Sequence, residues 1–242
     1  MAEDECLNNH VEEMSIMDRK IMAGIVMGAG LLLTGCSLVI PSQIEYPDAD
    51  AAKEALNHAS TVTFLTEDLE DVDTMGNILA DEKIAGYMSQ SGFVNIKWTV
   101  NVDDQDWFYL KVVTDEPINN VEGVKTGSTY GYYDMDDNCL GYGQERVIAP
   151  NGGEEAWYIQ FLDADGNPKE DYYATEEGTM LLDSEGNVIA RVNGSIDLIG
   201  TGCTINFVME DGVDQEVDIK DKIVMTMPKF DELKRYYLDN YM

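Results

Sequence analysis

The chain has 242 residues, 47 of them Asp or Glu against 15 Lys or Arg, a formal net charge of -32. That balance excludes a nucleic-acid partner, because phosphate contacts are made by clustered basic side chains. With 44% hydrophobic residues and 13 tyrosines, the composition is that of a packed domain rather than an acidic disordered tail.

Residues 1–16, MAEDECLNNHVEEMSI, are acidic and unpatterned, and they read as a mis-assigned extension ahead of a true start at Met17. Beyond it Arg19 and Lys20 precede the apolar run Ile21–Leu33, which ends in Leu33-Thr34-Gly35-Cys36. A short basic start, an apolar run of this length and small residues before a cut site make a secretory signal peptide. The tetrad resembles the lipobox of bacterial lipoproteins. That resemblance covers residues 17–36 and implies cleavage after a leader of residues 17–35, with Cys36 becoming the acylated first mature residue. It also implies a protein anchored to the cell membrane on its extracytoplasmic face. The competing reading is an uncleaved transmembrane helix, since Ile21–Ile40 is 20 residues without a charge. Arg19 and Lys20 give both readings the same topology. Cleavage removes six acidic and two basic residues and leaves 41 against 13, so the acidity belongs to the exported part.

Residues 36–47 read as a tether, and residues 48–242 as one β-rich domain with no Pro/Gly/Ser-rich linker dividing it. Asp48 and Asp50 ahead of Ala- and Leu-rich sequence predict a helix over residues 49–59. Thr61–Leu65 reads as a strand. Thr74–Met88 carries a partly helical pattern interrupted by Gly76 and Gly86. From Phe93 the period becomes two, with Val94, Ile96, Trp98, Val100 and Val102 alternating against polar residues, and then Phe108, Leu110 and Val112 against Trp107, Tyr109 and Lys111.

One motif occurs three times: Asp134-Met-Asp-Asp-Asn138, Asp163-Ala-Asp-Gly-Asn167 and Asp183-Ser-Glu-Gly-Asn187. Gly166 and Gly186 supply the left-handed conformation that a type I turn followed by a bulge requires, and Asp137 takes that place in the first copy. These are expected hairpin tips, with a fourth turn at Glu210–Val213 followed by a short strand, Val217–Ile219. Pro228 with Asp231 and Glu232 behind it predicts the start of a C-terminal helix docked on the sheet. The expected fold is α+β: an antiparallel meander of hairpins forming a curved sheet or half-barrel, with an N-terminal and a C-terminal helix.

Cys139 and Cys203 are the thiols left in a lipidated mature chain, and outside the cytoplasm they are candidates for a disulfide. His58 is the mature chain's one histidine, so a His-based triad or multi-histidine metal site has no material. Asp134, Asp136, Asn138 and Glu145 fall at oxygen-ligand positions of an EF-hand-like calcium loop, although Cys139 stands where that loop needs glycine. The same residues also read as a plain solvated tip. If Phe108, Leu110 and Val112 face the core, Trp107 and Tyr109 point outward, and Tyr142, Tyr158 and Tyr172 can join them in an aromatic shelf suited to a glycan or protein partner. The competing reading is a sheet covered on both faces, by the terminal helices on one side, with these aromatics forming a second core. No nucleophile elbow, P-loop, dinucleotide fingerprint or HExxH is present. The expected role is therefore non-catalytic binding of a surface protein, glycan or envelope component. A lipid carrier of the half-barrel lipoprotein kind, to which the element order is similar, and a secreted hydrolase with paired carboxylates are the alternatives.

Overall fold

The computed structural model describes residues 43–241 apart from 67–68, 70–73, 93–94, 114–117, 120–124, 149–155, 176–177 and 198–200. The leader and Cys36 lie outside the described residues. Helix α1 (Ala49–His58) is followed by strands β1 (Thr61–Thr66), β2 (Thr74–Ala80), β3 (Lys83–Ser91), β4 (Lys97–Val102), β5 (Gln105–Val112) and β6 (Lys125–Asp134). Then come β7 (Cys139–Ile148), β8 (Ala156–Leu162), β9 (Tyr172–Thr175), β10 (Met180–Asp183), β11 (Val188–Ile196), β12 (Cys203–Met209) and helix α2 (Ile219–Tyr241).

Each strand pairs antiparallel with its neighbours in sequence, and β1 closes on β12 from Thr61↔Val208 to Thr66↔Cys203. The meander is thus a closed twelve-stranded barrel, not the expected half-barrel. Closure gives every strand two partners and leaves no edge for another chain to extend. Alternation sends Val62, Phe64, Phe108, Leu110, Ile205 and Phe207 into the lumen, where all are buried. Outside, the rows are polar: Thr63 donates to Asn206 at 2.8 Å and Asn206 to Asn193 at 3.1 Å across three strands. Among the described residues no helix is long and apolar enough to cross a membrane.

The stretch read as an interrupted helix, Thr74–Met88, is the β2–β3 hairpin. Its turn has Asp81 and Glu82 at φ 46° and 75°, a two-residue connection without the glycine that usually announces one. Asp103-Asp104 (φ 53° and 57°) turns β4 into β5 in the same way. The three repeated motifs do form hairpin tips with one shared geometry. The first Asp Oδ1 accepts the amides of the second and fourth residues after it, at 2.9 and 2.8 Å in every copy. Asp137, Gly166 and Gly186 hold the left-handed position at φ 65°, 82° and 85°. All these turns fall at one end of the barrel; the opposite end, where Trp157 of β8 is exposed, is termed the open end.

Helix α2 departs furthest from expectation. It starts at Ile219, nine residues before Pro228, so Val217–Ile219 is not a strand and Pro228 lies inside a 23-residue helix. Its first half is buried on every side: Ile219 and Asp221–Met227 are all at most 2% exposed. A helix covered all round must be surrounded. Val224 fills the space in front of Gly143 on β7, Leu233 that in front of Gly194 on β11, and Asp221 accepts the hydroxyl of Tyr172 on β9 at 2.6 Å. Lys220 lies over Phe108 of β5, and Lys222 over Phe207 of β12. Contacts from strands around the wall put this helix in the lumen rather than on the sheet. Beyond Pro228 it leaves toward the open end with Phe230, Leu233 and Tyr237 buried and Tyr236 and Leu238 exposed.

Helix α1 spans the predicted residues to within one position. Asp48 caps it by accepting the Ala51 amide at 2.9 Å, and Ala52 and Leu56 are buried on its inner side. The described part of the expected tether is docked: Glu45 exchanges backbone and carboxylate hydrogen bonds with Ile84, and Tyr46 donates to the carbonyl of Ala80 at 3.0 Å.

Candidate functional site

The five aromatics expected to form one shelf are divided among four places. Trp107 is the extra residue of a bulge, since Val100 pairs with Phe108 and Asn101 with Asp106. The bulge turns its ring from the outer face onto Phe108 and under Lys53 of α1. Tyr109 does face outward, but its ring stacks on Tyr133 at 5.3 Å, with Lys97 3.5 Å from the Tyr109 centroid and Lys111 4.1 Å from that of Tyr133. Its hydroxyl donates to Asp137, and only 3% of it is exposed. Tyr142 stands half-buried beside this stack on β7. The cluster is sealed by its own lysines and serves the wall. Tyr172 points into the lumen, leaving Tyr158 alone of the group at the open end.

The calcium loop is not assembled. The Asp134 carboxylate is taken up by its own hairpin, accepting the Asn138 side-chain amide at 2.8 Å on the second oxygen, which holds it below the usual carboxylate range. Glu145 lies six residues along β7 from Cys139, about 20 Å away at the rise of a strand, and accepts the Ser128 amide. Among the described residues there is no group of three or more His, Cys, Asp or Glu that could hold a metal. The disulfide is also absent: Cys139 and Cys203 are free thiols. They sit on β7 and β12, five strands apart around the wall, roughly 24 Å at ordinary strand spacing, where a bridge needs Cα atoms within about 7 Å.

Among the described residues two concavities stand out, one at each end. At the hairpin end a polar cleft of about 440 Å³ runs between the C-terminus of α1 and the Glu210–Val217 loop, with His58 on its rim. Its back wall is Lys222, whose ammonium donates to the carbonyls of Asn57 at 2.8 Å, Ala59 at 3.2 Å and Leu56 at 3.3 Å. These are orphan acceptors at a helix end, so this lysine has a structural partner set. Burial pulls its pKa down to about 8.

Deeper in the lumen, Asp221 accepts Lys169 and Tyr172, each at 2.6 Å, while Asp218 caps α2 by accepting the Lys220 amide at 2.9 Å. Burial raises the Asp221 carboxyl against the opposing charge of Lys169. Asp221 in the first turn of α2 is where a helix dipole favours a carboxylate, and the network ties the plug to the wall.

The open end holds the second concavity, about 270 Å³, lined by Glu145, Trp157, Tyr158, Ile159 and Pro228. Strand β8 places it: Trp157, Ile159 and Phe161 alternate inward, opposite Val147, Glu145 and Gly143 of β7. Ile159, beside Met225 and Pro228 of α2, and Phe161, edge-on to Tyr172, are buried, whereas Trp157, nearest the rim, stays 39% exposed. Pro228 of α2 floors the hollow. Its missing amide and the ring bulk interrupt the helical ladder where α2 emerges. The sequence reading passes over Trp157, because nothing local marks it as the residue left uncovered.

These features define a class: a closed antiparallel barrel plugged by its own C-terminal helix, with an acidic, aromatic hollow at the end away from the hairpins. Comparison with known proteins gives no match to a family, to a curated protein or to a solved structure.

Proposed function

We propose that the protein is a lipid-anchored binding protein of the extracytoplasmic membrane face, without catalytic activity, that takes its partner at the open end of the barrel. The observation carrying the binding role is Trp157, a large aromatic left 39% exposed beside the Glu145 carboxylate in a preformed hollow. Exposed tryptophan on a rigid strand is the kind of anchor that glycan and protein partners use. A half-barrel lipid carrier would need an empty apolar lumen, and here α2 occupies it.

The address rests on the tetrad Leu33-Thr34-Gly35-Cys36, and palmitate labelling of the full chain tests it. Label is expected on the wild type and lost in Cys36→Ala; label persisting in the variant would end the lipoprotein reading. Binding is tested by capture of envelope glycans and proteins on detergent-solubilised full-length protein, with Trp157→Ala as the comparison. Equal capture by both forms would move the site elsewhere.

A further inference from the structure

We infer that the hollow at the open end receives an organic ammonium group, the cationic head of an amine or quaternary ammonium compound, held against Trp157 and countered by Glu145. This deepens the binding role proposed above and rests on it.

The size comes first. At about 270 Å³ the hollow sits just below the range of ordinary small-molecule pockets, roughly 300–1,000 Å³, so it accepts one compact head rather than an extended chain. Its lining is the Trp157 ring, Tyr158, Ile159 and Pro228, with one carboxylate among them. Aromatic faces with a neighbouring carboxylate are the elements by which proteins hold alkylated ammonium groups, the negative face of the ring attracting the cation while the apolar walls desolvate its methyl or methylene groups.

The carboxylate is positioned, not incidental. The Ser128 amide donates to Glu145 Oε2 at 2.8 Å and fixes its direction. Gly127, beside it on β6, is the residue that lets the parts meet. A Cβ there would lie 2.6 Å from Glu145 Oε2 and 2.9 Å from Trp157 Cζ3, so any other side chain would force the carboxylate and the indole apart.

The electrostatics select the sign of the ligand. Asp231, one turn of α2 beyond Pro228, is a second carboxylate near the hollow. Its pKa is raised by desolvation and by the charge of Glu145, and lowered by Lys234 and Arg235 of its own helix. The Tyr130 phenol is pushed up by burial and then by Glu145 and Asp231 together, so both charges reach the same inner wall. Around them is a chain of net charge -32, whose field concentrates cations and repels anions. A phosphate or sugar acid would meet repulsion from Glu145, and a neutral sugar would gain nothing from its charge.

The test uses full-length protein in a neutral detergent, titrated with choline and glucosamine as ammonium probes and with glucose and glucuronate as neutral and anionic controls. Tryptophan fluorescence and calorimetry are the readouts. Both ammonium probes are expected to perturb the fluorescence and to bind at millimolar concentration or below, glucuronate not at all. Glu145→Gln should weaken them at least tenfold, Trp157→Phe should keep most of the affinity, and Trp157→Ala should lose it. Unchanged thermal melts will identify the variants that fold, and Asp231→Asn supplies a second charge-removing variant. Equal binding of glucose and glucosamine, insensitive to Glu145→Gln and Asp231→Asn but lost in Trp157→Ala, would overturn the ammonium inference and leave a binding site at this end. No response of Trp157 to any probe, together with envelope capture unaltered by Trp157→Ala, would overturn the inference and the site alike.

Discussion

The ammonium of Lys222 lies 2.8 Å from the carbonyl oxygen of Asn57, so the plugging helix caps the C-terminus of the N-terminal helix. Two elements 165 residues apart are joined by one side chain that also serves Leu56 and Ala59. Replacing it with an apolar isostere removes the donor and leaves buried acceptors. Lys222→Met is therefore expected to cost about 2–4 kcal/mol in urea unfolding, with faster amide exchange in the last turn of α1.

The same lysine sets an alkaline signature. Its pKa falls from the ordinary 10.5 to about 8 on folding, chiefly through desolvation. Between those values the unfolded chain holds more protons than the folded one, so stability rises with pH across that window. Tyr132 and Tyr172 act in the opposite direction at higher pH, because burial raises their phenols above the ordinary 10 and the unfolded chain loses those protons first. A stability maximum between about pH 8 and 10 is expected, and the rising limb should disappear in Lys222→Met. Melts across pH 7–11 check this.

Asp221→Ala removes one partner of a buried ion pair and strands the amine of Lys169. A loss of about 3–5 kcal/mol is expected, far beyond that of an exposed acidic residue, and hydrogen exchange should show the first half of α2 opening. Asp221→Asn keeps the shape and one acceptor and should cost less.

Gly143→Ala probes the fit of plug to wall. The new methyl group would lie 2.7 Å from Val224 Cγ1 and 2.8 Å from the Tyr132 hydroxyl. Overpacking of this kind costs about 1–3 kcal/mol, read as a lower denaturation midpoint. An unchanged midpoint would mean that α2 is not seated against β7.

The thiols separate by burial. Cys203 faces the interior and burial pushes its pKa up to about 11, while Cys139 is half-buried. Alkylation of the native protein followed by mass spectrometry should label Cys139 and spare Cys203, and a reductant should leave the melting temperature unchanged.

The hairpin tips offer an acid-side measurement. Asp134, Asp163 and Asp183 are each held below the ordinary carboxylate value by hydrogen bonds from the Asn four residues on. Their stabilising contribution is present above that value and lost as pH falls through the lowered one. Carboxylate titration by NMR should place all three below the ordinary carboxylate value, and Asn167→Ala should return Asp163 toward it.

The local features that the chain announces by itself are those governed by a few adjacent residues. The capped helix after Asp48, the alternation of β4 and β5 and the three Asp-to-Asn tips are each decided by neighbours in sequence. Closure of β1 on β12, the burial of α2 in the lumen and the exposure of Trp157 at the rim are set by which surfaces meet after hundreds of long-range choices. The run Ile223–Met227 reads the same whether a helix lies on a sheet or inside a barrel, because only the surrounding wall determines how many of its sides lose water. For the same reason the aromatics of β5, β7 and β8 were visible as aromatics, yet a single bulge turned Trp107 away and two lysines covered the Tyr109 stack.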